Sequence, residues 1–146
     1  MLSDFTVDTD GDSLPDAWEA AYDLNLADGA TADTDGDGLN NLLEYALALD
    51  PTKSESAPTT MTLEMNPADG LRYMVYHYRR RAVLTTWGFD VQTGMTPGTW
   101  SGMAATEQAA PPTIHADGIG ETLHLRILPA LGGSGAGFYR LRVTAP

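Results

Sequence analysis

The chain has 146 residues, with 20 Asp and Glu against 8 Lys and Arg, a formal charge of −12. That surplus repels nucleic acid and anionic lipid, so neither is expected as a partner, while 42% hydrophobic content is enough for a folded core. No apolar run approaches the roughly 18 residues of a membrane span, there is no cysteine for a disulfide or thiolate, and Met1-Leu2-Ser3-Asp4 lacks the basic and apolar regions of a signal peptide.

Charge divides the chain. Residues 1–55 hold 14 of the acids and one base, Lys53, whereas residues 56–146 hold 6 acids and 7 arginines. Two modules are expected, over 1–52 and 59–146, with a polar stretch at 53–58 between Pro51 and Pro58 as linker.

The first module is a repeat. Asp8-Thr9-Asp10-Gly11-Asp12-Ser13-Leu14-Pro15-Asp16-Ala17-Trp18-Glu19 returns 25 residues later as Asp33-Thr34-Asp35-Gly36-Asp37-Gly38-Leu39-Asn40-Asn41-Leu42-Leu43-Glu44. Both copies place oxygen-bearing side chains at loop positions 1, 3, 5 and 9 and a glutamate at 12, the grammar of a calcium loop. Ca²⁺ takes six to eight hard oxygens at about 2.3–2.6 Å, and a tightly wound loop brings alternate side chains to one point. The expected ligands of two Ca²⁺ sites are Asp8, Asp10, Asp12, Asp16 and Glu19 with the Leu14 carbonyl, and Asp33, Asp35, Asp37, Asn41 and Glu44 with the Leu39 carbonyl. Position 6 needs a positive φ, free for Gly38 and strained for Ser13, so the first loop is expected to be the weaker site. A short helix should follow each loop, one with Trp18, Ala21 and Tyr22 on its apolar face, the other with Leu42, Leu43, Ala46 and Leu47.

These loops resemble dockerin-like type I repeats and thrombospondin type 3 repeats, and more closely the tandem calcium repeats near the C-termini of large bacterial extracellular proteins. The resemblance covers residues 8–51. It departs from cellulosomal dockerins at position 12, where Glu19 and Glu44 stand in place of Asp, and it brings no matched cohesin-reading pair.

Residues 59–146 read as all-β. Strands are expected over Thr60–Asn66, Leu71–Arg79, about Leu84–Thr93, Glu121–Leu128 and Phe138–Thr144, with Ile114–Ala116 pairing Glu121–Leu128 around Asp117-Gly118. Trp100 is expected to cap an edge of the core, Ser101–Pro112 reads as a loop, and Gly132–Gly137 as a flexible connection. The fold class is therefore α+β: a small tandem calcium loop–helix module followed by an antiparallel β-sandwich. The β-region's order also resembles the sandwich that follows such repeats.

No enzyme is expected. There is no Gly-x-Ser-x-Gly elbow, no phosphate loop and no free carboxylate pair for glycoside hydrolysis. His77, His115 and His124 lack metal-ligand spacing, although two of them can meet across strands. Arg79-Arg80-Arg81 either docks on an acidic surface, such as the calcium module of this chain or a neighbour, or forms a solvated strand end. The expected role is a calcium-stabilised structural or assembly module, extracellular or at a bacterial surface, polymerising through its acidic module and its arginine-bearing sandwich. The alternative is an adhesion module, dockerin-like or carbohydrate-binding, with a protein or glycan partner.

Overall fold

A computed structural model describes residues 6–94, 96, 98–100, 102–128 and 138–146. Two loop–helix units come first, with α1 at Asp16–Ala21 and α2 at Asn41–Leu47. The repeat persists into the backbone, because left-handed conformations recur 25 residues apart at Gly11 and Gly36, Ser13 and Gly38, and Asp23 and Ala48. Each helix ends with the same bond, Leu24 N–H to the Glu19 carbonyl at 2.9 Å and Leu49 N–H to the Glu44 carbonyl at 2.8 Å. Pro15 stands just ahead of α1 with extended backbone, and Asn40 caps α2 by accepting from the Leu43 N–H.

Among the described residues seven strands follow: β1 (Thr59–Met65), β2 (Arg72–Arg81), β3 (Gly88–Gly94), β4 (Gly102–Met103), β5 (Thr106–Ile114), β6 (Gly120–Ile127) and β7 (Phe138–Thr144). They form two antiparallel sheets, ordered β1-β2-β6-β5 and β4-β3-β7. Tyr76, Tyr78 and Ile127 of the first sheet and Val91 of the second make one buried cluster, joined by Phe89, Leu123, Leu125, Tyr139 and Leu141. Facing sheets with alternating inward residues fit a β-sandwich.

Two expectations change. Residues 102–112, read from composition as loop, contain β4 and most of β5. Pro111 and Pro112 are tolerated there because β5 is an edge strand, and register shifts between Gln108 and Ala110 and between Ala110 and Thr113 absorb the misfit. The third strand begins at Gly88, not near Leu84, which is buried in the preceding turn instead. Met61, Leu63 and Met65 share one face of edge strand β1 and are 36%, 51% and 60% exposed. Trp100 is half-buried beneath the Arg140 guanidinium, 4.3 Å from its ring, and Gly132–Gly137 lies outside the described residues.

The loop–helix units and the sheets share a core. Leu14, Trp18, Tyr45 and Ala46 pack with Leu84, and Trp87, Phe89 and Val143 close around them. The arginine cluster divides its work across this junction. Arg79 pairs with Asp117 at 2.5 Å and Arg80 with Glu121 at 2.7 Å, both within the sheet region. Arg81 is buried against α2, where its Nε donates to the Tyr45 carbonyl at 3.0 Å and its guanidinium lies 4.4 Å from the Tyr45 ring centre. That carbonyl is in the last turn of the helix, where a cation is favoured.

Candidate metal centres

Each loop draws its three aspartates to one point. The carboxylates of Asp8, Asp10 and Asp12 offer oxygens within 4.8 Å of one another, and so do those of Asp33, Asp35 and Asp37. Among the described residues these are the groups of three or more acids or histidines that can hold a metal ion in this way. Backbone donors wind the loop around its first aspartate. Asp8 Oδ1 accepts from the Gly11 and Asp12 N–H groups at 2.7 and 3.2 Å, and Oδ2 from Ser13 at 2.9 Å. Asp33 repeats this with Gly36, Asp37 and Gly38 at 2.8, 3.2 and 3.0 Å. At position 5, Asp12 and Asp37 accept from the N–H of Leu14 and Leu39 at 2.8 and 2.7 Å.

The position 9 side chains also make bonds within their own loops. Both oxygens of Asp16 accept from Thr9, the N–H at 2.7 Å and the hydroxyl, and these bonds hold its pKa below the ordinary carboxylate value. In the second loop Thr34 donates its hydroxyl to Asn41 Oδ1 at 2.9 Å, while Asn41 Nδ2 donates to the Gly29 carbonyl at 3.1 Å. The sequence carries a signal for this clasp, a threonine at position 2 of both copies, which ligand grammar alone overlooks. A second unforeseen contact ties the linker to the site: the Glu55 N–H donates to Asp37 Oδ2 at 2.7 Å.

Of the acidic loop residues, those at position 12 are the most heavily enclosed. Glu19 is 1% and Glu44 0% exposed, each on the helix that follows its loop. Burial, and then repulsion from Asp12, Asp10, Asp16 and Asp8, pushes the Glu19 pKa up to about 7. Burial, followed by Asp35, Asp37, Asp33 and Asp50, takes Glu44 to about 8. Glu19 Oε2 and both oxygens of Glu44 have no hydrogen-bond partner, nor do Asp12 Oδ2 and Asp35 Oδ2. Of the seven such buried polar atoms among the described residues, five are thus carboxylate oxygens of these two loops, a concentration that a cation would relieve. The side chain of Leu14 is fully buried in the shared core and that of Leu39 half-buried, both as expected for a position whose backbone faces the loop.

Oxygen-only groups of this kind suit hard divalent cations and offer no thiolate or imidazole for a softer one. No family model matches the chain, and neither the curated proteins nor the solved structures give a match.

Proposed function

We propose that the two loops bind Ca²⁺, one ion each, and that the chain is a non-enzymatic, calcium-stabilised structural or assembly module acting outside the bacterial cell. One observation carries the reading: Glu44, fully enclosed, has two unpartnered oxygens at the twelfth position of a loop whose first, third and fifth residues converge. A carboxylate buried without a partner is costly, by about 1–3 kcal/mol for each unmatched polar group, and a cation removes that cost. Glu19 with Asp8, Asp10 and Asp12 repeats the arrangement in the first loop. The ligand set favours calcium over magnesium because one long, carboxylate-rich loop supplies many oxygens, whereas Mg²⁺ keeps most of its water. Millimolar calcium outside cells suits such sites, and in a chain without cysteine the ion replaces the disulfide as staple.

Self-association is part of the reading. Edge strand β1 leaves Met61, Leu63 and Met65 uncovered, and an apolar edge strand is open to strand pairing with another chain. Calorimetric titration with calcium, with sedimentation velocity and circular dichroism in chelator and in millimolar calcium, tests both parts. Two ions per chain and a gain of helix are expected. Large assemblies with calcium would support the polymer subunit, whereas a compact monomer would make the chain a spacer within something larger. The absence of both heat and spectral change on adding calcium would refute the central claim.

A further inference from the structure

A second group of ligating side chains lies away from both loops, on the outward face of the four-stranded sheet. His77 on β2 and His124 on β6 stand directly opposite in the antiparallel register. Their chain neighbours Tyr76, Tyr78, Leu123 and Leu125 belong to the core cluster, so alternation turns both imidazoles outward. The Nδ1 atoms are 2.7 Å apart, and the rings meet edge to face with centroids 5.0 Å apart.

The far side of each ring is held by oxygen. Thr62 donates its hydroxyl to Glu64 Oε1 at 2.6 Å, so the Thr62 oxygen is left to accept from His77 Nε2 at 2.7 Å. The Glu64 carboxylate is itself 3.4 Å from that nitrogen. His77 therefore keeps its proton on Nε2 and presents the Nδ1 lone pair. His124 Nε2 is 3.0 Å from Thr113 Oγ1. In the metal-free chain His124 donates Nδ1–H to His77 and accepts from the Thr113 hydroxyl. Moving that single proton to Nε2, with Thr113 turning to accept it, leaves a lone pair on each Nδ1, and a small rotation of the rings brings the two to one point.

We propose that His77 and His124 form a bidentate site for a late first-row divalent cation, Cu²⁺ or Zn²⁺, bound through both Nδ1 atoms. Neutral imidazole selects these ions over Ca²⁺, so the site is chemically separate from the aspartate loops and does not depend on their reading. Bonds of about 2.0–2.1 Å at angles between square and tetrahedral set the two nitrogens about 2.9–3.4 Å apart. The pair thus opens by well under 1 Å on the order set by those bonds, within reach of side-chain rotation. An acceptor on the far nitrogen of each ring, a carboxylate standing behind one of them, is the outer-shell support that orients metal-binding histidines. His115 supplies an internal control, since its Nε2 pairs with Thr122 Oγ1 at 2.7 Å and meets no second imidazole.

The test is a Cu²⁺ titration of the whole chain in millimolar calcium, read by electron paramagnetic resonance and repeated with Zn²⁺ by calorimetry. One Cu²⁺ per chain with coupling to two nitrogens is expected. His77→Gln and His124→Gln should each weaken binding at least tenfold, Thr62→Val about tenfold, and His115→Gln not at all, with circular dichroism confirming the fold of each. Equal binding by wild type and His124→Gln, an all-oxygen spectrum, or a ¹⁵N imidazole spectrum that Zn²⁺ leaves unchanged would overturn the proposal.

Discussion

Replacing Glu44 with glutamine separates the cation's contribution from that of the fold. Without metal, the Glu44 carboxyl is fully enclosed with both oxygens unpartnered, and it titrates at about 8 against 4.5 for an ordinary glutamate. At pH 7.4, folding forces a proton onto a group that water would leave ionised. Linkage between those two values sets about 3–4 kcal/mol against the metal-free fold. Glutamine keeps the shape and removes the ionisation, but its own unmatched amide costs about 1–3 kcal/mol. The net expectation in excess chelator is a stabilisation of about 1–2 kcal/mol, a rise of roughly 3–8 °C in Tm for a chain of this size. In calcium the sign reverses, because the second loop has lost its only glutamate and the calcium-induced rise in Tm should fall by about half, one site of two. Thermal melts by circular dichroism, wild type against variant in chelator and in calcium, measure both effects. A variant less stable than wild type in chelator would show that the buried carboxylate is not penalised. An undiminished calcium response would show that Glu44 does not serve the ion.

The pH dependence of the metal-free chain has a definite sign. Glu19 and Glu44 hold their protons more tightly folded than unfolded, at about 7 and about 8 against 4.5, so stability is greatest at the acid end and falls as pH rises from about 4.5 to 8. The lowered Asp16, Asp50, Asp69 and Asp117 act in the opposite sense, but below the ordinary carboxylate range; melts in chelator from pH 5 to 8 check this, and a rising profile contradicts it. Ser13 sits at φ 78° where the second loop has Gly38, so Ser13→Gly should stabilise the chain by about 0.5–1 kcal/mol and tighten the first site, measured by melts and calcium titration. Arg81→Met removes both the bond to the Tyr45 carbonyl and the contact with its ring. It should cost about 2–3 kcal/mol and weaken the near-ultraviolet signal of the aromatic core, in calcium as well as in chelator.

Where a sequence feature answers to local geometry, it was legible. The 25-residue repeat foretold the paired aspartate triplets, the positive φ at Ser13, and both helices, because loop winding is set within a dozen residues. Phe138–Thr144 was readable for the same reason, its alternation running unbroken to both ends. β5 was not, since Pro111 and Pro112 deny it on local grounds and only its place at a sheet edge permits it. The exposure of Met61, Leu63 and Met65 was equally hidden, for alternation names a face but not what covers it. The clasp of Thr9 on Asp16, and of Thr34 on Asn41, depends on how the loop closes, which ligand spacing does not encode. That two of the three histidines can meet across strands was foreseen, but not that they are His77 and His124, and the acceptors behind them come from β1 and β5, whose register no local pattern reveals.

The placement of the position-12 glutamates gives the loops their reach into the rest of the chain. Glu19 follows Trp18 on α1, and Glu44 precedes Tyr45 on α2, so each helix turns a carboxylate to its loop and an aromatic to the core. Those aromatics form a continuous path, with Trp18 5.3 Å from Tyr45 and Tyr45 5.7 Å from Trp87, the last residue before β3. Helices of six and seven residues lie far below the length that is stable unaided. They are ordered only by what they touch, the loop on one side and the sheets on the other. A change at either contact is therefore felt at the other. In the proposed reading the cation neutralises the carboxylate face, the sheets bury the aromatic face, and Arg81 fixes the last turn of α2. Losing the ion should then loosen the junction at Trp87 and Arg81 as well as the loops themselves, which makes the metal a condition of the whole fold and not an ornament of its first third.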